Sequence, residues 1–325
     1  MGLFLFLGMH WVFDNSTSLE ERALRLFREQ AQQCVPYRDY LNLLNIQSAN
    51  IHSLAEIPFL PIQFFKSHAV LTEGLEAEIT FSSSGTTGME RSQHLVADTS
   101  LYEYSFRKGF EQFYGAPKNY RILALLPSYL EREGSSLIYM CEDLIAQSKR
   151  PQSGFYLHNL EDLAEVLQED CPTLLIGVSY ALLDLAELGS FQLANTTVME
   201  TGGMKGQRKE LLKEELHHTL CAAFGVPKIH SEYGMTELLS QAYSKGDGLF
   251  ETPHWMRVLA RDTEDPLTLL PKGKTGGLNI IDLANVHSCA FIATQDLGKV
   301  YSDNTFEVLG RFDHSDIRGC NLLVQ

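Results

Sequence analysis

The sequence contains no closely spaced cysteines. None of its six cysteines lies within four positions of another, so the chain has no C-x-x-C pair of the kind that binds metal or performs redox chemistry. Free thiols in a chain of 325 residues are typical of a reducing compartment. We therefore expect a cytoplasmic protein.

A targeting signal and a membrane-spanning run are also absent from the pattern. Residues 1–13 are apolar, but this segment has neither a basic leader nor a small-residue cleavage site, and it is too short to span a bilayer. We expect it to be a buried strand, or else a segment included because the start codon was assigned upstream of the true start at Met9. The sequence therefore predicts no membrane insertion.

Basic stretches are scarce. Lys and Arg number 26 against 41 Asp and Glu, which gives a net charge of -15, and the densest basic stretch, residues 205–213, is interrupted by Glu210. Such an acidic chain repels phosphate backbones and anionic membrane surfaces, so nucleic acid is not an expected partner. The remaining composition, 44% hydrophobic and 21% charged, is typical of a globular protein with one large domain or two modest ones.

Apolar periodicity predicts an α/β fold. A helix is predicted at residues 18–31, because Ser18 and Glu21 fit a capping box ahead of an i, i+4 apolar stripe. A second helical stripe consists of Tyr102, Phe106, Phe110 and Phe113. Buried strands are predicted at residues 122–126, 173–178 and 197–199, separated by helical segments at residues 159–169 and 207–224. Alternation at this spacing indicates a sheet with helices on its faces.

The pattern changes beyond about residue 253. Short β-rich segments at residues 255–259, 278–281 and 291–294 are interrupted by Gly and Pro, which predicts a smaller β subdomain. We expect one domain over residues 1–310, with this β-rich part at about 250–310, and a short tail at residues 311–325.

A Ser/Thr/Gly loop carries the clearest functional signal. Apolar and polar residues alternate along residues 75–81, which predicts a strand, and this strand leads directly into the loop at residues 82–88. Gly85 and Gly88 allow successive N–H groups to point inward, and the hydroxyls add further donors. Such a loop suits a triphosphate or pyrophosphate. The sequence contains neither a Walker A motif nor a G-x-G-x-x-G motif.

The loop and four later motifs occur in the order of a known superfamily. The run Ser83, Ser84, Gly85, Thr86, Thr87, Gly88 resembles the phosphate loop of the adenylate-forming superfamily, which includes acyl-CoA ligases. The later matches are Thr201-Gly202-Gly203, the Y-G-x-T-E motif Tyr233-Gly234-Met235-Thr236-Glu237, Asp296 at the ribose-binding position, and Gly310-Arg311 at the hinge.

More narrowly, the chain resembles the acyl-protein synthetase family, which is close to phenylacetate-CoA ligases and known from the fatty acid reductase of bacterial bioluminescence. The residues that carry this resemblance are 61–66, 126–132, 202–205 and 316–322. It implies the large N-terminal domain of the superfamily, with helix-flanked sheets and a small β subdomain. We also expect the superfamily's mobile C-terminal domain to be lacking.

The resemblance implies activation of a fatty or aryl carboxylic acid by ATP and Mg²⁺. Glu237 would bind the metal, and Thr236 would bond the α-phosphate. Tyr233 would stack on adenine, and Asp296 would accept bonds from the ribose hydroxyls. Gly202 and Gly203 would let the main chain pass close to the adenine or the acyl carboxylate.

Two departures from the superfamily pattern affect the expected chemistry. Met89-Glu90-Arg91 replaces the common Pro-Lys after the loop, so Arg91 is a candidate cation. We also expect the lysine contributed by the C-terminal domain to be lacking, and Lys205 is a candidate substitute.

The family also implies an acyl-accepting thiol. Cys320 matches the acceptor cysteine near the C-terminus, and Arg318 nearby would favour its thiolate. The acyl group would then pass to a partner such as an acyl reductase or carrier protein. Free coenzyme A is the alternative acceptor.

Two alternatives belong to other functional classes. The segment Gly177-Val178-Ser179-Tyr180-Ala181 imitates a hydrolase nucleophile elbow, with Ser179 as nucleophile and His217 or His230 as base, although Ala181 replaces the last Gly. The other alternative is a nucleotide-binding protein without catalytic activity.

Overall fold

A computed structural model describes residues 10–83, 91–127, 134–157, 159–204, 208–209 and 211–311. The α-helices are α1 Leu19–Gln33, α2 Val35–Leu43, α3 Phe64–Ser67, α4 Thr99–Tyr114, α5 Ser136–Ser148, α6 Leu160–Leu167, α7 Ser179–Ala186 and α8 Lys213–Phe224. Short 3₁₀ helices occupy His10–Val12, Ser48–Asn50, Leu54–Glu56 and Pro117–Asn119.

The strands are β1 Leu60–Pro61, β2 Ile79–Ser82, β3 Gln93–Val96, β4 Arg121–Leu125, β5 Gly154–Tyr156, β6 Thr173–Val178, β7 Thr196–Thr201, β8 His230–Tyr233, β9 Ala242–Ser244, β10 Phe250–Glu251, β11 Met256–Arg261, β12 Thr275–Asp282, β13 Phe291–Val300 and β14 Phe306–Arg311. Twelve of them form one mixed sheet in the order β11-β12-β13-β14-β10-β9-β8-β7-β6-β4-β5, with β1 beside β13. Strands β2 and β3 form a separate antiparallel hairpin.

The parallel half of the sheet forms as its apolar runs predict. Strands β4 and β6 are buried along their whole length, which requires cover on both faces. Helix α5 packs on β4 and α7 on β6. The predicted aromatic stripe of α4 is buried at all four positions, so the pattern identified the core-facing side of that helix correctly.

Helix α1 begins at the predicted capping box. The Ser18 hydroxyl accepts from the Glu21 N–H at 3.2 Å, and Glu21 Oε2 accepts from the Ser18 N–H at 3.0 Å. The helix is then fixed to the segment between β12 and β13, because the buried Gln30 amide donates to Asn285 O and accepts from the Ala290 N–H.

Two predicted elements are shorter than the sequence pattern. The strand expected at residues 75–81 begins only at Ile79, since its partner β3 ends at Val96, which pairs with Ile79 and leaves the preceding residues without a neighbouring strand. The helix expected from residue 207 begins at Lys213, where the Glu215 carboxylate accepts from the Leu212 N–H.

The β-rich pattern beyond residue 253 corresponds to β11, β12 and β13. These strands join the parallel half through β14, β10 and β9 within a single sheet. The division of the chain into a domain, a β-rich part and a tail stays a prediction. Within the described ranges, no helix is both long and apolar enough to cross a bilayer.

Candidate active site

The predicted glycine-rich and Tyr motifs meet at one edge of the sheet. Parallel strands β7 and β8 are neighbours, with Thr201 opposite Glu232, so Gly202 and Tyr233 lie at adjacent carboxyl ends. This is the edge at which α/β sheets bind ligands. Gly202 has a φ of +66°, which favours glycine. A Cβ added at Gly203 would meet no atom within 4 Å, so the main chain there borders open space.

Asp296 joins two of the other predicted residues. The Tyr233 hydroxyl donates to Asp296 Oδ2 at 2.7 Å, and Arg311 Nε donates to Oδ1 at 3.1 Å. Burial and the negative Asp296 hold the pKa of Tyr233 well above its usual value, so the phenol stays protonated and acts as a donor. Each carboxylate oxygen keeps a lone pair for a further donor, such as a ribose hydroxyl.

Glu237 is a buried carboxylate beside this cluster. Only 5% of the residue is exposed, and its main-chain oxygen accepts from Asn285 Nδ2 at 2.9 Å. Burial raises the pKa of the Glu237 carboxyl, while a hydrogen bond from the Ser92 side chain and the charge of Arg311 partly oppose the rise. Burial thus disfavours the charged form of Glu237.

The β2–β3 hairpin brings Ser83, where the predicted phosphate loop begins, against Ser92. The Ser83 N–H donates to Ser92 O at 3.0 Å, and the Ser92 N–H donates to Ser83 Oγ at 2.9 Å. Because the Ser92 side chain opposes the rise in the pKa of Glu237, this pair lies near that carboxylate. The other predicted loop residues, Ser84, Gly85, Thr86, Thr87 and Gly88, lie outside the described residues.

Thr236 is held through its main chain by a residue that sequence reasoning missed. His94 Nδ1 lies 2.9 Å from Thr236 O, and His94 Nε2 lies 2.9 Å from Ser288 Oγ. Burial lowers the pKa of His94 to about 4, so the ring is neutral at pH 7. The available signal was the alternation that begins just before β3, in which Ser92 and His94 are buried and Gln93 is exposed.

The turn after Glu237 is fixed by a second missed residue, Asp282. This fully buried carboxylate accepts from the N–H groups of Leu239 at 2.8 Å and Ser240 at 2.9 Å, from the Ser240 hydroxyl at 2.5 Å, and from the Ala284 N–H at 3.1 Å. It fixes the position of the main chain that follows the predicted metal ligand.

Another buried carboxylate, Glu232, lies on β8 directly before Tyr233. It accepts from Thr201 Oγ1 at 2.5 Å, and a Cβ on Gly234 would approach Glu232 Oε1 to 2.5 Å, which explains the glycine. Burial, together with the negative Glu200, raises the pKa of Glu232 to about 7. Burial alone would raise the pKa of Glu200 as well, but His217 and Lys213 bring it down to about 2.

Glu232→Gln should change the pH dependence of stability. The folded protein holds the Glu232 proton up to pH about 7, while the unfolded chain releases it near pH 4.5, so wild-type stability falls across this interval. Glutamine cannot ionise, and we expect the variant to gain about 3 kcal/mol relative to wild type between these pH values. Urea unfolding at several pH values measures this gain. Glu251→Gln, at an exposed site on β10, is the control. If the free energy of unfolding of Glu232→Gln differed from that of wild type by the same amount at every pH, the raised pKa of Glu232 would be contradicted.

The hydrolase alternative finds no support in the geometry. Ser179 Oγ donates to Gly202 O at 3.1 Å and to Glu200 Oε2 at 3.4 Å. His217 Nε2 instead lies 3.5 Å from Glu200 Oε1, and His230 Nδ1 lies 3.2 Å from the Tyr114 hydroxyl. Among the residues described, Ser179 thus has no histidine as a base.

The donor set fits a magnesium ion that is carried by a nucleotide. In the described ranges, no group of three or more His, Cys, Asp or Glu side chains could hold a metal alone. Mg²⁺ in nucleotide sites usually takes one or two protein carboxylates plus phosphate oxygens, and the buried Glu237 provides one such ligand. Arg91 is exposed, whereas Lys205, Arg318 and Cys320 lie outside the described residues.

Comparison with known proteins identifies the family of the chain. The profile of the family described as "Acyl-protein synthetase, LuxE" matches residues 135–325. A curated relative from Aliivibrio fischeri, a long-chain-fatty-acid–luciferin-component ligase, is 22% identical, and the alignment covers 98% of this chain and 91% of the relative.

Two solved structures share the fold. A 2-hydroxyisobutyryl-CoA ligase, in complex with 2-HIB-AMP and CoA, has a TM-score of 0.67 at 12% identity, covering 91% of this chain and 69% of that one. ATP-bound MatB from Rhodopseudomonas palustris has a TM-score of 0.54 at 18% identity, covering 71% of this chain and 47% of MatB, so the chain spans about half of MatB's length. These matches confirm the predicted fold class, and the family match confirms the predicted family and its class of ligase. The chain belongs to the acyl-protein synthetase family LuxE.

Proposed function

We propose that this protein uses ATP to convert a carboxylic acid into its acyl-adenylate and then passes the acyl group to a thiol. The observation that carries the proposal is the pairing of Ser83 with Ser92, whose side chain lies near the buried Glu237 carboxyl. A buried carboxylate near the start of a predicted phosphate-binding loop is an arrangement that would suit a metal-bound triphosphate.

In the first step, a substrate carboxylate oxygen bonds to the α-phosphorus of ATP, the bond from that phosphorus to the bridging oxygen breaks, and pyrophosphate leaves. Two anions must meet, so the barrier is largely electrostatic. Mg²⁺, bound by Glu237 and phosphate oxygens, would supply the opposing charge. Asp296 would orient the ribose through its remaining lone pairs, and the Tyr233 ring would lie against the adenine.

In the second step, the Cys320 thiolate attacks the acyl carbonyl, a thioester forms, and AMP leaves. Membership in an acyl-protein synthetase family supports a protein acceptor, with onward transfer to an acyl reductase or carrier protein. The five cysteines within the described ranges are free thiols, as a reducing, cytoplasmic location would require. The name of the A. fischeri relative makes a long-chain fatty acid the first acid to test.

Exchange of labelled pyrophosphate into ATP tests the first step. With ATP, Mg²⁺ and a panel of fatty and aryl acids, the wild-type protein should exchange label only when the correct acid is present. A nucleotide-binding protein without catalysis would bind ATP and show no exchange with any acid. A positive result also identifies the acid, because the reaction reverses only through its adenylate.

Labelling with a radioactive acid tests the second step. We expect wild-type protein to acquire hydroxylamine-sensitive label in the presence of ATP, and Cys320→Ser to lose it while retaining pyrophosphate exchange. Cys171→Ser, which removes a partly exposed thiol elsewhere, is the matched control and should label normally. Formation of a coenzyme A thioester by Cys320→Ser at the wild-type rate would contradict the protein acceptor.

A further inference from the structure

Strand β3 and the residue before it place two polar side chains in the interior. Ser92, directly before β3, and His94, within it, are 3% and 1% exposed. Buried polar groups require hydrogen-bond partners, and His94 finds one in Thr236, while the Ser92 side chain lies near Glu237. The pairing joins residues that are 142 positions apart in the sequence.

The chemistry of its two partners fixes the tautomer of His94. A carbonyl oxygen can only accept, so Nδ1 carries the proton and donates to Thr236 O. Nε2 then accepts from the Ser288 hydroxyl. The Phe65 ring packs edge-to-face against the imidazole, with the two ring centroids 5.5 Å apart, and restricts rotation of the imidazole. The imidazole therefore acts as a rigid bridge from Ser288 to the residue that precedes the predicted metal ligand.

Ser92 lies between Ser83 and Glu237. Its main chain exchanges hydrogen bonds with Ser83, and its side chain lies near the Glu237 carboxyl. Because Ser92 and His94 are two residues apart, a movement of the β2–β3 hairpin would displace Ser83 together with the contact to Thr236.

We infer that Ser92 and His94 are positioning residues that set Thr236 and Glu237 relative to Ser83, where the predicted phosphate loop begins, so that the metal and the triphosphate are bound in one geometry. This inference rests on the proposed function. Neither side chain need touch the nucleotide, since each acts through Thr236 or Glu237. Outer residues that orient a metal ligand typically change metal affinity or activity about 10- to 100-fold when they are replaced.

Two substitutions at His94 separate positioning from packing. In His94→Asn, the amide nitrogen reaches the place of Nδ1 and can still donate to Thr236 O. In His94→Gln, the amide reaches the place of Nε2 instead, so contact with Ser288 is kept and the donor to Thr236 is lost. Both substitutions remove the imidazole ring that packs against Phe65. If His94 had only a packing role, the two variants would therefore be affected equally.

The test measures Mn²⁺ binding in the presence of ATP by electron paramagnetic resonance, the Mg²⁺ dependence of pyrophosphate exchange, and the thermal midpoint. We expect His94→Asn to stay within about 3-fold of wild type, and His94→Gln and Ser92→Ala to bind Mn²⁺ with ATP about 10- to 100-fold more weakly. The thermal midpoints of the two His94 variants should fall by similar amounts.

Equal losses in His94→Asn and His94→Gln, in proportion to their thermal midpoints, would overturn the inference and leave His94 as a packing residue. Unchanged Mn²⁺ affinity in both His94→Gln and Ser92→Ala would overturn it as well. If wild type binds Mn²⁺ with ATP but shows no acid-dependent exchange, the proposed function fails, and the Mn²⁺ affinities still decide whether the residues position the site.

Discussion

Replacing Glu237 with glutamine should reduce pyrophosphate exchange by roughly 10²- to 10³-fold, the loss expected when one preorganised electrostatic group is removed from an active site. Glutamine keeps the size of the side chain and one carbonyl oxygen, but it has no charge with which to bind Mg²⁺. The loss should appear in the rate at saturating ATP and in the Mg²⁺ concentration required.

The same substitution should not destabilise the ligand-free protein. Burial raises the pKa of Glu237, which means that its charged form is disfavoured in the fold, so an uncharged side chain is as stable there at neutral pH or more stable. Glu214→Gln, at an exposed position on α8, is the matched control and should leave both properties unchanged. A fall in the thermal midpoint that parallels the loss of exchange would contradict a metal-binding role for Glu237.

Asp282→Ala should reduce the free energy of unfolding by about 3–5 kcal/mol, because it leaves four buried donors without their acceptor. Three of these donors belong to Leu239 and Ser240, which directly follow the site, so any folded fraction of the variant should also exchange pyrophosphate poorly. Urea unfolding gives the free energy directly.

Asp262→Ala is a suitable comparison for this effect. Asp262 Oδ1 also accepts from two main-chain N–H groups, those of Glu264 and Asp265, but in an exposed turn where water can replace it. We expect a cost below about 1 kcal/mol there. If Asp282→Ala does not fold, Asp282→Asn, which keeps one acceptor oxygen, should show an intermediate loss. Equal costs at Asp282 and Asp262 would rule out the anchoring role.

The elements predicted correctly are those in which the relevant information is local. The capping box of α1, the aromatic stripe of α4 and the apolar runs of β4 and β6 each specify their structure within a few turns or one strand. The β2 strand was overpredicted because strand length depends on a partner, and β3 provides only four paired residues.

The site residues follow the same rule: those in local motifs were identified, and those that depend on distant partners were missed. Tyr233, Glu237 and Asp296 were identified through motif resemblance, and the structure brings Tyr233 and Asp296 into contact. His94 and Asp282 were missed because their hydrogen-bond partners lie 142 and about 40 positions away. A buried histidine on a four-residue strand has no apolar pattern around it that would reveal a partner so distant in the sequence.

The most direct test of the account is a crystal structure of the protein with ATP and Mn²⁺, in which anomalous scattering locates the metal. The account predicts a metal peak about 2.1 Å from a Glu237 carboxylate oxygen, with the triphosphate bound by the loop that follows Ser83. A triphosphate bound on another surface, with no metal peak at Glu237, would contradict it.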